Sequence, residues 1–207
     1  MIKDGIGGVN TKTGLEFELQ TDLKEIISRL KNYEVRNCDF NTSRKNGKVI
    51  KGKKLRSEEK AARWIVLYKQ EEVARIFRKE GLYRYFDEID GYDYTEIISS
   101  KLLPDDAIFV IEKNTVFIIE KKTQSGSGSV DEKLQTCDFK LKQYRKLFSP
   151  LNKEVKYYYL LEKEWFSQQK YKDVLDYIIS VGCGYYFNYI PLSALGLPVE
   201  EECIDEV

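Results

Sequence analysis

Leu103-Pro104-Asp105-Asp106-Ala107-Ile108-Phe109-Val110-Ile111-Glu112-Lys113-Asn114-Thr115-Val116-Phe117-Ile118-Ile119-Glu120-Lys121-Lys122 is the stretch on which the reading of this chain turns. Two apolar runs rich in β-branched residues, 106–111 and 116–119, flank a polar turn at 112–115, the pattern of a β-hairpin. A carboxylate stands at the outer end of each arm, and Lys122 follows Glu120 by two residues. With Lys113-Asn114 as a two-residue loop, Glu112 faces Thr115, Ala107 faces Glu120 and Asp105 faces Lys122. Facing residues, and residues two apart on one strand, point to the same side of a sheet. Asp105, Glu120 and Lys122 therefore share one face at the open end, and Asp106 and Lys121 take the other. A bulge or a longer loop would break this parity and bring Asp106 in as the substitute.

The 207 residues suit one domain with a real core. Charged residues are abundant and balanced, 34 basic against 34 acidic, so net charge selects no partner. Their distribution is uneven. Nine basic residues between 44 and 63 stand against Glu58 and Glu59, while 200–207 is acidic throughout its charged positions. Histidine is absent, which excludes histidine triads, histidine-ligated zinc and a histidine general base. Cys38, Cys137, Cys183 and Cys203 form no C-x-x-C pair, against a zinc ribbon or disulfide framework and in keeping with a reducing cytosol. Neither the apolar core of a signal peptide nor a membrane-length apolar run is present. The expectation is a cytoplasmic protein with no membrane partner.

Around the hairpin, Thr13-Gly14-Leu15-Glu16 matches a capping box and opens a helix over 14–31 that buries Leu15, Leu19, Leu23, Ile26, Ile27 and Leu30. Short strands are expected at 33–40 and 48–50 about Asn46-Gly47, and a buried strand at Trp64–Tyr68. A helix over 70–79 with Gly81 as its C-cap follows; the aromatic stretch 82–99 carries no readable period. Ser125-Gly126-Ser127-Gly128-Ser129 reads as a flexible loop. Then come a helix over 130–147, a strand over 155–161, an amphipathic helix over 164–181 ending at Gly182, and a last strand over 184–189. This order describes an α/β chain, an α+β mixed sheet flanked by helices.

Two carboxylates converging from adjacent strands are hard oxygen ligands, suited to Mg²⁺ with Mn²⁺ as substitute. The Lys121 carbonyl, between Glu120 and Lys122, is a natural third ligand, and Glu18 on the first helix is an accessory candidate. A metal so held polarises a phosphoryl oxygen and activates water, and Lys122 beside it can orient that water or offset developing charge. No histidine is needed. The same residues also read as the solvated ends of an edge hairpin, and Glu18 as a solvated helix glutamate. The basic interval can track phosphates through Lys51, Lys53, Lys54 and Arg56, although charge runs of this kind also occur as ordinary solvated loops.

Pro104-Asp105 followed by Glu120-Lys121-Lys122, each at a strand end, resembles the PD-(D/E)-x-K nuclease superfamily. Through 7–18 and 102–136, including Ile118-Ile119-Glu120-Lys121-Lys122-Thr123-Gln124 and Gly128–Thr136, the chain is similar to one group of type II restriction endonucleases. The resemblance implies a restriction-endonuclease-like αβββαβ core in a single nuclease domain, 1–207, with 33–100 as a DNA-contacting insertion or subdomain. It implies Mg²⁺-dependent cleavage of double-stranded DNA at a short site by a homodimer, functionally paired with a DNA methyltransferase. Asp105 and Glu120 would be metal ligands, Lys122 the catalytic lysine and Glu18 the helix glutamate near the metal. Gln124, Ser129, Lys133 and Gln135 would contribute DNA contacts or helix capping. A structure-specific repair or recombination nuclease of the same fold, and a non-catalytic DNA-binding protein, are the alternatives.

Overall fold

The computed structural model describes residues 21–38, 42–45, 48–51, 62–124 and 130–199. Helix α1 (Leu23–Ser28) leads to β1 (Tyr33–Asn37), the hairpin strands β2 (Thr42–Lys45) and β3 (Lys48–Lys51), β4 (Arg63–Tyr68) and β5 (Glu71–Phe77). Next come α2 (Gly81–Glu88), a 3₁₀ turn at Tyr94–Glu96, β6 (Asp106–Val110) and β7 (Thr115–Lys122). The chain continues through α3 (Val130–Leu134), α4 (Cys137–Phe148), β8 (Glu154–Leu161), α5 (Lys163–Phe166), α6 (Lys172–Ser180), β9 (Gly184–Phe187) and α7 (Leu192–Leu195). This is a mixed α/β fold. Its seven-stranded sheet runs β1-β4-β5-β6-β7-β8-β9, antiparallel as far as β7 and parallel across β7, β8 and β9. Parallel neighbours need crossovers, and α3–α4 and then α5–α6 supply them.

Because side chains alternate along strands, the sheet carries apolar residues on both faces and buries two cores. On the first face Ala107, Val116, Ile118, Tyr157 and Tyr159 pack with Leu82 and Phe86 of α2, Leu141, Tyr144 and Leu147 of α4 and Ile178 of α6. On the second, Val66, Ile76, Ile108, Phe117, Ile119 and Leu160 pack with Leu23 and Ile27 of α1 and Leu195 of α7. Within α1, Asp22 caps the N-terminus by accepting from the Glu25 amide at 3.2 Å. Ile26 and Leu30, expected in the core, are each 36% exposed.

Several expectations need correction. The interval 70–79 holds strand β5 (Glu71–Phe77), not a helix. Lys69 and Gln70 both take positive φ, 49° and 71°, and turn the chain tightly between paired Tyr68 and Glu71. Val73, Ile76 and Phe77 fall by chance at helical spacing, and neither turn residue is the Gly or Asn that announces such a hairpin. Gly81 does not cap a preceding helix; it opens α2, where an added Cβ would sit 2.2 Å from the Ala62 carbonyl oxygen. The aromatic stretch unread in the sequence becomes α2 and the 3₁₀ turn, with Tyr83 and Phe86 edge-on in the first core. The expected helix over 130–147 is divided into α3 and α4, and that over 164–181 into α5 and α6. Phe139 and Ile179, 60% and 56% exposed, lie outside the core. The capping box, Leu15, Leu19 and the loop 125–129 lie outside the described residues.

Candidate active site

The β6–β7 hairpin forms, with a register different from the one expected. Asp106 pairs with Ile119, Ala107 with Ile118 and Val110 with Thr115. The connection is therefore the four residues 111–114, with Asn114 at φ 48° and the Asn114 amide donating to the Ile111 carbonyl at 3.0 Å. A two-residue loop would have set Ala107 against Glu120. The slip amounts to two residues, a full strand period, so every side chain keeps its face.

On the first face, at the open end of the hairpin, Asp105, Glu120 and Lys122 come together. The Lys122 ammonium lies 3.0 Å from Glu120 Oε2, 3.1 Å from the Lys121 carbonyl oxygen and 3.9 Å from Asp105 Oδ2. One cationic group thus sits where three oxygens converge. Asp105 Oδ2 also accepts from the Lys121 amide at 2.9 Å, which ties the end of one strand to the other. Two further lysines complete the cluster: Lys79, just after β5, pairs with Asp105, and Lys140 of α4 reaches Glu120 Oε1 at 2.9 Å. Burial opposes ionisation of Asp105, but Lys122, Lys79 and the Lys121 amide outweigh it and hold the carboxyl below the usual aspartate value. Beneath Glu120 lies Tyr144. The Tyr144 hydroxyl is buried with no hydrogen-bond partner among the described residues, and burial, then the nearby Glu120 charge, raises its pKa.

The second face of the same hairpin holds a different charge cluster. Asp106, fully buried, receives Lys121 Nζ at 2.7 Å and Arg78 Nε at 2.9 Å, and Arg78 also binds Asp22 at 2.9 Å. Lys121 is itself only 6% exposed. Asp106 is therefore not a substitute for Asp105; it is the internal counter-ion of Lys121 and Arg78, cut off from the first face by the sheet.

Of the remaining sequence candidates, Glu18, Lys53, Lys54, Arg56 and Ser129 lie outside the described residues. Lys51 ends β3, its backbone paired with Thr42. Lys133 and Gln135 are exposed at the α3–α4 junction, where the Lys133 carbonyl accepts from the Tyr159 hydroxyl at 3.0 Å. Gln124 is half-buried, and its amide donates to Glu162 at 3.2 Å. Lys79 and Lys140 escaped the sequence reading because nothing ties their spacing to Asp105 or Glu120. The one signal available was Lys140's place on the helix that follows the E-x-K segment.

Asp105, Glu120 and the Lys121 carbonyl make an all-oxygen donor set. Among the described residues no group of three or more His, Cys, Asp or Glu side chains gathers as a metal site. A pair of carboxylates is nonetheless enough for Mg²⁺, which keeps several waters and takes one or two carboxylates. The convergence of the three oxygens on the Lys122 ammonium marks a point where a cation is already favoured. By that test the residues fit a small divalent ion.

Comparison of the chain with protein-family models, with curated proteins and with solved structures returns no match. No helix among the described residues is long and apolar enough to cross a membrane.

Proposed function

We propose that this chain is a metal-dependent nuclease of the type II restriction endonuclease kind, hydrolysing phosphodiester bonds of double-stranded DNA at a short sequence. The observation that carries the reading is the convergence of Asp105, Glu120, Lys122 and the Lys121 carbonyl on one face at the open end of a rigid hairpin. The helix before the sheet and the parallel β8 and β9 after it support a restriction-endonuclease-like core. Asp105, Glu120 and the Lys121 carbonyl would hold Mg²⁺, or Mn²⁺ in its place. When bound, the ion supplies polarisation of a phosphoryl oxygen and acidification of a bound water.

This chain's own residues do the rest. The Asp105 bond to the Lys121 amide fixes the carboxylate against the strand, so ordering the site costs little at the moment of reaction. Lys122, 15% exposed, is placed to orient an attacking water and to offset charge on a phosphate. Lys79, 52% exposed beside Asp105, places a cation at the edge of the site where a phosphate backbone would be neutralised. A homodimer on a palindromic site, with a paired DNA methyltransferase protecting the host's own copies, completes the proposal.

The test is direct. Purified protein is incubated with plasmid and phage DNA in Mg²⁺, and the products are separated on a gel. Discrete, reproducible fragments are the expected result. Cutting confined to branched or mismatched DNA would assign a structure-specific nuclease of the same fold. A second reading, a non-catalytic DNA-binding protein, is favoured by the lysines that already occupy the carboxylates; binding without cleavage of any substrate would establish it.

A further inference from the structure

Glu120 is 7% exposed, and each of its two carboxylate oxygens carries an ammonium group: Lys122 on Oε2 at 3.0 Å and Lys140 on Oε1 at 2.9 Å. A buried carboxylate left without counter-charge is costly, which explains why both oxygens are occupied. The two lysines are not equivalent. Lys122 comes from the same strand and also touches the Lys121 carbonyl. Lys140 comes from α4, and among the described residues its ammonium contacts Glu120 alone. Its side chain is 24% exposed, so it can leave Glu120 for solvent without stranding a buried charge. Lys121, by contrast, is 6% exposed and pinned to Asp106 on the other face.

We propose that Lys140 is a built-in competitor of the divalent cation: its ammonium on Glu120 Oε1 neutralises the carboxylate and so weakens the hold of that carboxylate on an ion that takes the place of the Lys122 ammonium at Oε2. The inference rests on the reading of Asp105 and Glu120 as metal ligands. Its physical basis is simple competition between two cations for one carboxylate. Two consequences follow. The protein tolerates its buried glutamate without metal, and metal affinity is held down by the free energy of the Lys140 ion pair. Lys140 is on this account a positioning residue, acting through Glu120.

The experiment is a titration of the full chain with Mn²⁺, without DNA, reading free Mn²⁺ by electron paramagnetic resonance. Wild type is compared with Lys140→Gln, Lys140→Arg and Glu120→Gln, and thermal melts report folding. Lys140→Gln should bind Mn²⁺ roughly threefold to tenfold more tightly, the range expected for losing a partly buried competing ion pair. Lys140→Arg, which keeps the charge, should restore wild-type affinity, and Glu120→Gln should weaken binding. Equal or weaker binding by Lys140→Gln, with wild type binding Mn²⁺, overturns the competition and leaves the metal site standing. Failure of both wild type and Lys140→Gln to bind Mn²⁺ overturns the metal reading itself, and the competition with it.

Discussion

Adjacent aspartates on opposite faces of one strand should fail in opposite ways. Asp106 is fully buried and holds Lys121 at 2.7 Å and Arg78 at 2.9 Å. Asp106→Ala would leave Lys121, 6% exposed, as a buried ammonium without its counter-ion; Arg78, 27% exposed, keeps Asp22 and loses less. Removing one partner of a buried pair costs about 3–5 kcal/mol, and the surviving Arg78–Asp22 contact places this case near the lower end, about 3–4 kcal/mol. Asp105 is 20% exposed, and its partner Lys79, 52% exposed, rehydrates without penalty. What Asp105→Ala loses is the bond from the Lys121 amide and a partly screened charge pair, about 1–2 kcal/mol together. On the proposed function it also loses a metal ligand and all cleavage. Urea unfolding followed by the fluorescence of Trp64 and Trp165, beside the plasmid assay, measures both quantities on the same samples. The expected result is Asp106→Ala destabilised but, where folded, able to cut, and Asp105→Ala stable and inactive. Equal destabilisation by the two changes would refute the assignment of one aspartate to structure and the other to chemistry.

Glu120→Ala and Lys122→Ala should each abolish cutting while DNA binding, read by gel shift, persists; a mutant cutting at the wild-type rate would sink the site assignment. Stability should also fall in acid. Burial alone would raise the carboxyls of Asp22 and Asp105, but Arg78 for the first and Lys122 with Lys79 for the second hold both below the usual value. A carboxyl depressed by folding contributes stability that is full above its unfolded pKa of about 3.9 and lost as pH drops through the folded value. Urea midpoints should therefore decline from about pH 4 downward, and less steeply in Asp22→Asn, which keeps a helix-capping side chain; an unchanged slope would contradict the Arg78–Asp22 pairing. Gly81→Ala should destabilise by about 1–3 kcal/mol, because the new Cβ meets the backbone of Ala62 at 2.2 Å. A wild-type urea midpoint for that variant would show that the two segments do not approach so closely.

Some of this was legible in the residues alone. The hairpin, its β-branched arms and the shared face of Asp105, Glu120 and Lys122 follow from a covalent regularity, the two-residue period of a strand. That is why they survived a loop of four residues where two were expected. The strands at 64–68 and 155–161 and the glycine after α6 were legible for similar reasons, since each depends on neighbours in the chain. The strand at 71–77 was not. Its turn uses Lys69 and Gln70 at positive φ, which local propensity disfavours and which pairing with β4 and β6 enforces.

The sequence by itself thus determined the chemistry available, carboxylates and lysines with no histidine, and the face on which three of those groups stand. Only the tertiary structure decided what else meets them there. Lys79 and Lys140 lie 26 and 20 residues from their partner carboxylates, and Arg78 bridges Asp106 and Asp22 from separate elements. Contacts of that kind are set by how strands and helices pack, and a single chain carries no periodic signal for them. The physical reason is that side-chain direction along a strand is a local property, whereas the neutralisation of a buried charge is a property of the assembled fold.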